Sequence, residues 1–124
     1  MKDLKRKIHY WCSDTMQNKI TGKGVVCAVL DTGITQHPDL VGRIVGWKDC
    51  VQGKKTIYDD NGHGTHVAGI LAGNGKSGRG LYSGMAPEAQ IFAVKVLNQR
   101  GGGKIRDVIN GIRYVLLKQK EMKI

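Results

Sequence analysis

Continuous apolar runs along the chain predict buried β-strands. Residues 25–30 form an apolar, β-branched run between Gly24 and Asp31, and residues 91–97 form another. Apolar runs without polar alternation are typical of strands covered on both faces, as in a parallel sheet. Residues 43–47 predict a further strand between these two.

Helical spacing of apolar residues appears between and after the predicted strands. Residues 63–72 predict a helix, and residues 8–16 predict a short helix on an N-terminal arm. A longer final helix is indicated by a stripe at i, i+3 and i+4 spacing, made of Ile105, Val108, Ile109, Ile112, Val115 and Leu116. Strands that alternate with helices favour an α/β fold with an open, mostly parallel sheet and flanking helices. A crossover helix normally leads to another strand, so we expect this sheet to be truncated.

The high positive charge of the chain does not by itself indicate a particular kind of partner. Its 124 residues carry a net charge of +10, concentrated towards both ends. No nucleic-acid-binding motif accompanies the charge, so we favour solvated chain ends over a nucleic-acid partner. No apolar run approaches the roughly 20 residues needed to cross a membrane, and we expect no membrane partner.

The cysteines and the N-terminus bear on localisation. Three cysteines, Cys12, Cys27 and Cys50, do not form a disulfide pattern, and free thiols are the simpler interpretation. The basic start of the chain is followed by residues too polar for a signal peptide. We therefore predict a cytoplasmic protein; a secreted one would already have lost its signal.

An aspartate and a histidine are placed where acid–base chemistry would need them. Asp31 follows the first predicted strand, at the carboxyl edge of the sheet where ligands bind in α/β folds. His63 begins a predicted helix between two glycines. Such a pair supplies two parts of an acyl-transfer triad, in which the carboxylate orients the imidazole and the imidazole moves the proton.

Two other interpretations of these residues are weaker. Residues 75–77, Gly-Lys-Ser, resemble the end of a phosphate-binding loop, but Ile70 stands where its first glycine is needed. A metal site on His63, His66 and Asp31 would lack an evident fourth ligand. We predict no metal site there.

Two long motifs resemble those of a known protease family. Residues 29–34 read Val-Leu-Asp-Thr-Gly-Ile, and residues 60–69 read Asp-Asn-Gly-His-Gly-Thr-His-Val-Ala-Gly. They resemble the aspartate and histidine motifs of the subtilisin-like serine proteases, the subtilase family. The resemblance implies that residues 22–124 are the N-terminal portion of a subtilase catalytic domain, preceded by an arm at residues 1–21.

The resemblance also implies roles for individual residues. Asp31 and His63 match the catalytic aspartate and the general base, while His66 is read as a structural residue. The segment expected to pair with an extended peptide or protein substrate comprises Leu97, Gly101, Gly102 and Gly103. The family suggests calcium near Asp39 and the loop at residues 73–83. That loop has few carboxylates, so we name calcium as a candidate cofactor only.

The third member of the triad is missing from the sequence. The family's nucleophile lies in a Gly-Thr-Ser-Met-Ala segment, which is absent, and the serines present are Ser13, Ser77 and Ser83. The resemblance implies a serine endopeptidase whose nucleophile and remaining catalytic domain lie beyond Ile124. The alternative is a catalytically inactive fragment or a non-enzymatic basic binding module.

Overall fold

A computed structural model describes residues 20–79 and 83–124 of the chain. Its strands and helices are β1 (Val26–Asp31), β2 (Ile44–Asp49), α1 (His63–Ala72), β3 (Gln90–Lys95) and α2 (Ile105–Met122). Short 3₁₀ turns occur at Pro38–Leu40 and Lys76–Gly78. The helix expected at residues 8–16 lies outside the described residues. The prediction of an α/β fold is confirmed, and α1 has the bounds that its sequence pattern predicts.

The strands form a parallel sheet in the order β1-β3-β2. The last strand in sequence therefore lies in the middle, and five of its six residues are buried. The first strand is covered from both faces, as expected, but most of its residues are only half-buried because it lies at an edge. Strand boundaries differ from expectation by one residue, except at the carboxyl ends of β2 and β3, which differ by two. The second strand runs on to Asp49, and β3 ends at Lys95 because the amides of Val96 and Leu97 turn to the carbonyl of Asp31.

Alternating residues of β3 build two cores on opposite faces of the sheet. Ile91 and Ala93 belong to a cluster that includes Ala68 of α1. Phe92 and Val94 belong to a second cluster, against which Val108 of α2 packs. The two-residue period of a strand thus separates the helices into two outer layers. This three-layer arrangement holds the end of β1 and the start of α1 on one side of the molecule.

The long apolar stripe of α2 is divided between core and solvent. Val108 and Val115 pack towards the sheet, and a Cβ on Gly111 would lie closer than 3.0 Å to Val96, so the helix approaches the sheet at a glycine. The other members of the stripe are between 42% and 80% exposed, namely Ile105, Ile109, Ile112 and Leu116. The three strands are too narrow to cover the whole stripe, so these residues remain open to solvent. No helix in residues 20–79 or 83–124 is both long and apolar enough to cross a membrane.

The register of the sheet aligns the carboxyl ends of all three strands. Lys95 pairs with Asp31 on one side and with Asp49 on the other. Charged residues therefore meet at the edge where parallel sheets bind ligands, and the candidate site begins there.

Candidate active site

Asp31 and His63 lie in direct contact at this edge. Nδ1 of His63 is 2.8 Å from Oδ1 of Asp31. The carboxylate is largely buried, with 12% of its side chain exposed, whereas 60% of the imidazole is exposed. An ionised carboxylate only accepts hydrogen bonds, so Nδ1 donates its proton and Nε2 carries the free lone pair. Nε2 of His63 is therefore available as a proton acceptor. When the ring becomes positively charged, the carboxylate of Asp31 stabilises it through Nδ1.

Contact with Asp31 changes the acidity of the histidine. The hydrogen bond and the negative charge of Asp31 raise the pKa of His63 above its ordinary value. The amide of Thr32 donates a further hydrogen bond of 2.7 Å to the same carboxylate oxygen. This bond holds the carboxylate against the end of β1, where it faces the imidazole.

Replacing Asp31 with asparagine is expected to lower the pKa of His63 towards about 6.5, the value of a free imidazole. The variant removes the hydrogen bond and the charge of Asp31, the two largest causes that raise it, and leaves the smaller effect of Asp59. The pair stabilises the fold below the unfolded pKa of the histidine, and this contribution is lost as pH rises through the folded pKa. Titration of the His63 ring resonances by NMR measures the shift, with Asp39→Asn as a control that should leave them unchanged. A pKa of His63 that is the same in Asp31→Asn would contradict the assigned contact.

Asp59 holds the strand end and the helix start together, a role that the sequence motifs did not reveal. Its Oδ1 accepts from the hydroxyl of Thr32 at 2.8 Å and from the amide of Gly62 at 2.8 Å. The other oxygen, Oδ2, accepts from the amide of Thr65 at 2.9 Å and from its hydroxyl at 2.6 Å. Burial by itself would raise the pKa of Asp59, but these hydrogen bonds outweigh it and hold the pKa well below the usual range. An acidic residue just before a helix start is the signal that could have identified it.

Two glycines allow the turn after β1 to lie against the start of α1 and against the backbone of Tyr58. A Cβ on Gly64 would lie closer than 3.0 Å to the carbonyl oxygen of Gly33. A Cβ on Gly33, whose φ is +125°, would overlap the carbonyl of Tyr58. The amide of Gly64 also donates to the hydroxyl of Thr32 at 2.9 Å. The glycine that follows His63 is therefore needed for the contact itself.

The predicted substrate segment lies beside the pair but is closed on itself. The amide of Leu97 donates to the carbonyl of Asp31 at 3.1 Å, so the structure brings this residue to the site. Gly101, Gly102 and Gly103 are exposed, in a turn that Asn98 closes through both its backbone and its side chain. Pairing of a peptide with this edge stays a prediction.

A surface cleft of about 430 Å³ runs beside α1 without reaching His63. His66 lines this cleft together with His37 and Asp39, and it is exposed on the same helix as His63. The carboxylate of Asp39 accepts a hydrogen bond of 2.8 Å from the amide of Ser77. Within the described residues no group of three or more acidic, histidine or cysteine side chains could hold a metal ion. Calcium binding by this loop stays a prediction.

Comparison with known proteins identifies the class to which this fold and site belong. The sequence profile of the subtilase family matches residues 22–124, and the chain belongs to this family. It is 55% identical over 97 residues to the serine protease AprX of Bacillus subtilis, covering 78% of this chain and 22% of that protein. Thermitase of Thermoactinomyces vulgaris is 46% identical over 94 residues, which are 75% of this chain and 33% of that protein.

Solved structures agree with this assignment. The S41 psychrophilic protease superposes with a TM-score of 0.73 at 40% identity, over 83% of this chain and 35% of that one. A cold-adapted subtilisin-like serine proteinase superposes with a TM-score of 0.68 at 37% identity, over 77% and 33% of the two chains. The chain thus spans between about a fifth and a third of the relatives named here.

Proposed function

We propose that this chain is the N-terminal portion of a subtilisin-type serine endopeptidase domain. Asp31 orients His63, and His63 serves as the general base. The observation that carries the proposal is the 2.8 Å contact between Nδ1 of His63 and Oδ1 of Asp31, with the remainder of the imidazole open to solvent. The proposed partners are a peptide or protein substrate and the rest of the catalytic domain, which would supply the nucleophile.

The chemistry assigned to the pair is proton transfer during acyl transfer. Nε2 of His63 takes the proton of a serine hydroxyl as its oxygen forms a bond to the peptide carbonyl carbon. The same nitrogen then gives the proton to the leaving amine as the C–N bond breaks. The negative charge of Asp31 stabilises the imidazolium that exists between these steps and keeps the ring in the productive tautomer.

The two described serines, Ser77 and Ser83, do not suit the role of nucleophile. Among the described residues, no serine hydroxyl forms a hydrogen bond with the ring of His63. Ser83 precedes Gly84, whose amide donates to the carbonyl of Gly73 at the C-terminal end of α1. His63 begins this helix of 10 residues, and the helix is about 15 Å long. The second candidate function, a catalytically inactive 124-residue chain, follows from this separation.

A serine-reactive fluorophosphonate should label a longer protein that carries this sequence, and should not label the 124-residue chain. The reason is that the base requires a hydroxyl within hydrogen-bond distance to produce a reactive nucleophile. Labelling is measured by mass spectrometry of the intact protein, and peptide hydrolysis is assayed in parallel.

A His63→Ala variant of the longer protein serves as the control and should lose both labelling and hydrolysis. Labelling of the 124-residue chain at Ser83 would overturn the assignment of the nucleophile. Undiminished hydrolysis by the His63→Ala variant would overturn the assignment of the base.

A further inference from the structure

A buried lysine lies under the site, and the motifs of the pair do not include it. The side chain of Lys95 at the end of β3 is only 1% exposed. Its ammonium donates hydrogen bonds to the carbonyl of Thr32 at 2.5 Å, to Oδ1 of Asp60 at 2.8 Å and to the carbonyl of Leu97 at 2.8 Å. An ammonium has three donors, and each of them is used.

The three acceptors come from three separate segments around the site. Thr32 directly follows Asp31, Asp60 precedes His63 by three residues, and Leu97 begins the predicted substrate segment. One buried ammonium therefore connects the turn after Asp31, the loop before His63 and the segment that begins at Leu97. We propose that Lys95 is a positioning residue, whose ammonium sets the relative placement of Asp31 and His63. The inference rests on the proposed function, because it assigns a task within that site.

An apolar side chain would fill the same space without performing this task. Packing contacts are non-directional, whereas three charge-assisted hydrogen bonds define the direction of each segment relative to one nitrogen atom. Burying an ammonium is costly unless it is paired and hydrogen-bonded. The ring of Tyr58 lies 5.0 Å from the ammonium, at a distance where its face adds a further favourable contact. Full satisfaction of this charge indicates that the site is built around it.

The placement affects the hydrogen bond of the pair because catalytic geometry tolerates little displacement. Side chains of a productive site must lie within about 0.5 Å of their working positions. Asp31 and His63 belong to segments 32 residues apart in sequence. Asp59 ties these segments through Thr32 and the helix start, and Lys95 ties them through Thr32 and Asp60. We therefore expect loss of the ammonium to loosen the pair while the Asp59 contacts keep α1 in place.

The test measures the interaction between Asp31 and His63 with and without the ammonium. The pKa of His63 is determined by NMR in the 124-residue chain, in Asp31→Asn, in Lys95→Met and in the double variant. In each background, the pKa difference caused by Asp31→Asn gives the coupling of the pair. Removing a positive charge by itself would shift the pKa alike with and without the Asp31 carboxylate, and would leave this difference unchanged. We expect the coupling to fall to about half or less in the Lys95→Met background.

Controls separate positioning from folding and from charge. Lys48→Met replaces a lysine of β2 whose ammonium lies by Tyr114, and it should leave the coupling unchanged. Asp60→Asn keeps Lys95 and its two carbonyl contacts, so it should reduce the coupling by less. It also provides the test if Lys95→Met does not fold, because Asp60 is 36% exposed and its replacement leaves the buried ammonium bonded to two carbonyls. Unchanged coupling in every folded variant would overturn the proposal. Because the readout needs no nucleophile, this outcome differs from failure of the proposed protease activity.

Discussion

Gly64→Ala is expected to destabilise the chain by about 3 kcal/mol or more, whereas Gly69→Ala, in the same helix, is expected to stabilise it. A methyl group at Gly64 would overlap the carbonyl of Gly33, and both sides of this contact are backbone. Relief requires α1 to move away from the end of β1, which would also separate His63 from Asp31. At Gly69 the same methyl group meets nothing within 4 Å. There the higher helix propensity of alanine contributes about 0.5–1 kcal/mol.

Urea unfolding of the two variants and the unchanged chain measures these opposite effects. Both substitutions add one methyl group to one helix, so composition and length are matched between them. Equal stability changes in the two variants would show that the contact between Gly64 and Gly33 does not limit packing. Under conditions where Gly64→Ala still folds, adding Asp31→Asn to it should no longer change the pKa of His63.

Asp59→Asn is expected to lower the free energy of unfolding at neutral pH by about 2 kcal/mol, since hydrogen bonds to a charged group contribute about 1.5–3 kcal/mol. The asparagine would keep an acceptor oxygen but direct an amide donor at the hydroxyl and amide of Thr65. These groups now donate to Oδ2 of the carboxylate. In the variant, two hydrogen bonds at the start of α1 are therefore replaced by contacts between donor groups that repel each other.

The same carboxylate makes stability depend on pH in the acid range. Its pKa is held well below the usual range in the folded chain, and an unfolded aspartate titrates near about 3.9. The stabilisation is therefore present above the unfolded pKa and is lost as pH falls through that value towards the folded pKa. Thermal unfolding between neutral and acid pH should show a shallower loss of stability in Asp59→Asn. The exposed Glu121 offers a matched control, since Glu121→Gln should leave the curve almost unchanged. Parallel curves for Asp59→Asn and the unchanged chain would contradict the role assigned to Asp59.

Local patterns in the sequence were sufficient for much of the fold. The bounds of α1 follow from apolar spacing within one helix, and residues 25–30 and 91–97 predict two of the strands because an apolar run is a local signal. How much of the apolar stripe of α2 is covered could not be predicted, because exposure depends on how much sheet lies opposite the helix. A stripe of apolar residues does not contain that information.

In the candidate site, too, some residues could be identified from local sequence and others could not. Asp31 and His63 could be singled out because each stands in a recognisable local motif. Lys95 could not, because Thr32 and Asp60 are distant from it in the chain. Asp59 carried only the local signal of an acidic residue before a helix, which does not reveal its bond to Thr32. A lysine within an apolar run gives no sign that its ammonium meets Thr32, Asp60 and Leu97.

The sequence by itself determined the family, the type of each described strand and helix, and the proposed general base with its orienting carboxylate, since all of these are encoded in short contiguous segments. Only the tertiary structure decided the strand order β1-β3-β2 and the alignment of Asp31 with Lys95 across the sheet. It alone showed the close approach of Gly33 to Gly64. These features depend on pairing between residues far apart in the chain, and such pairing is selected by packing of the whole domain rather than by local propensity.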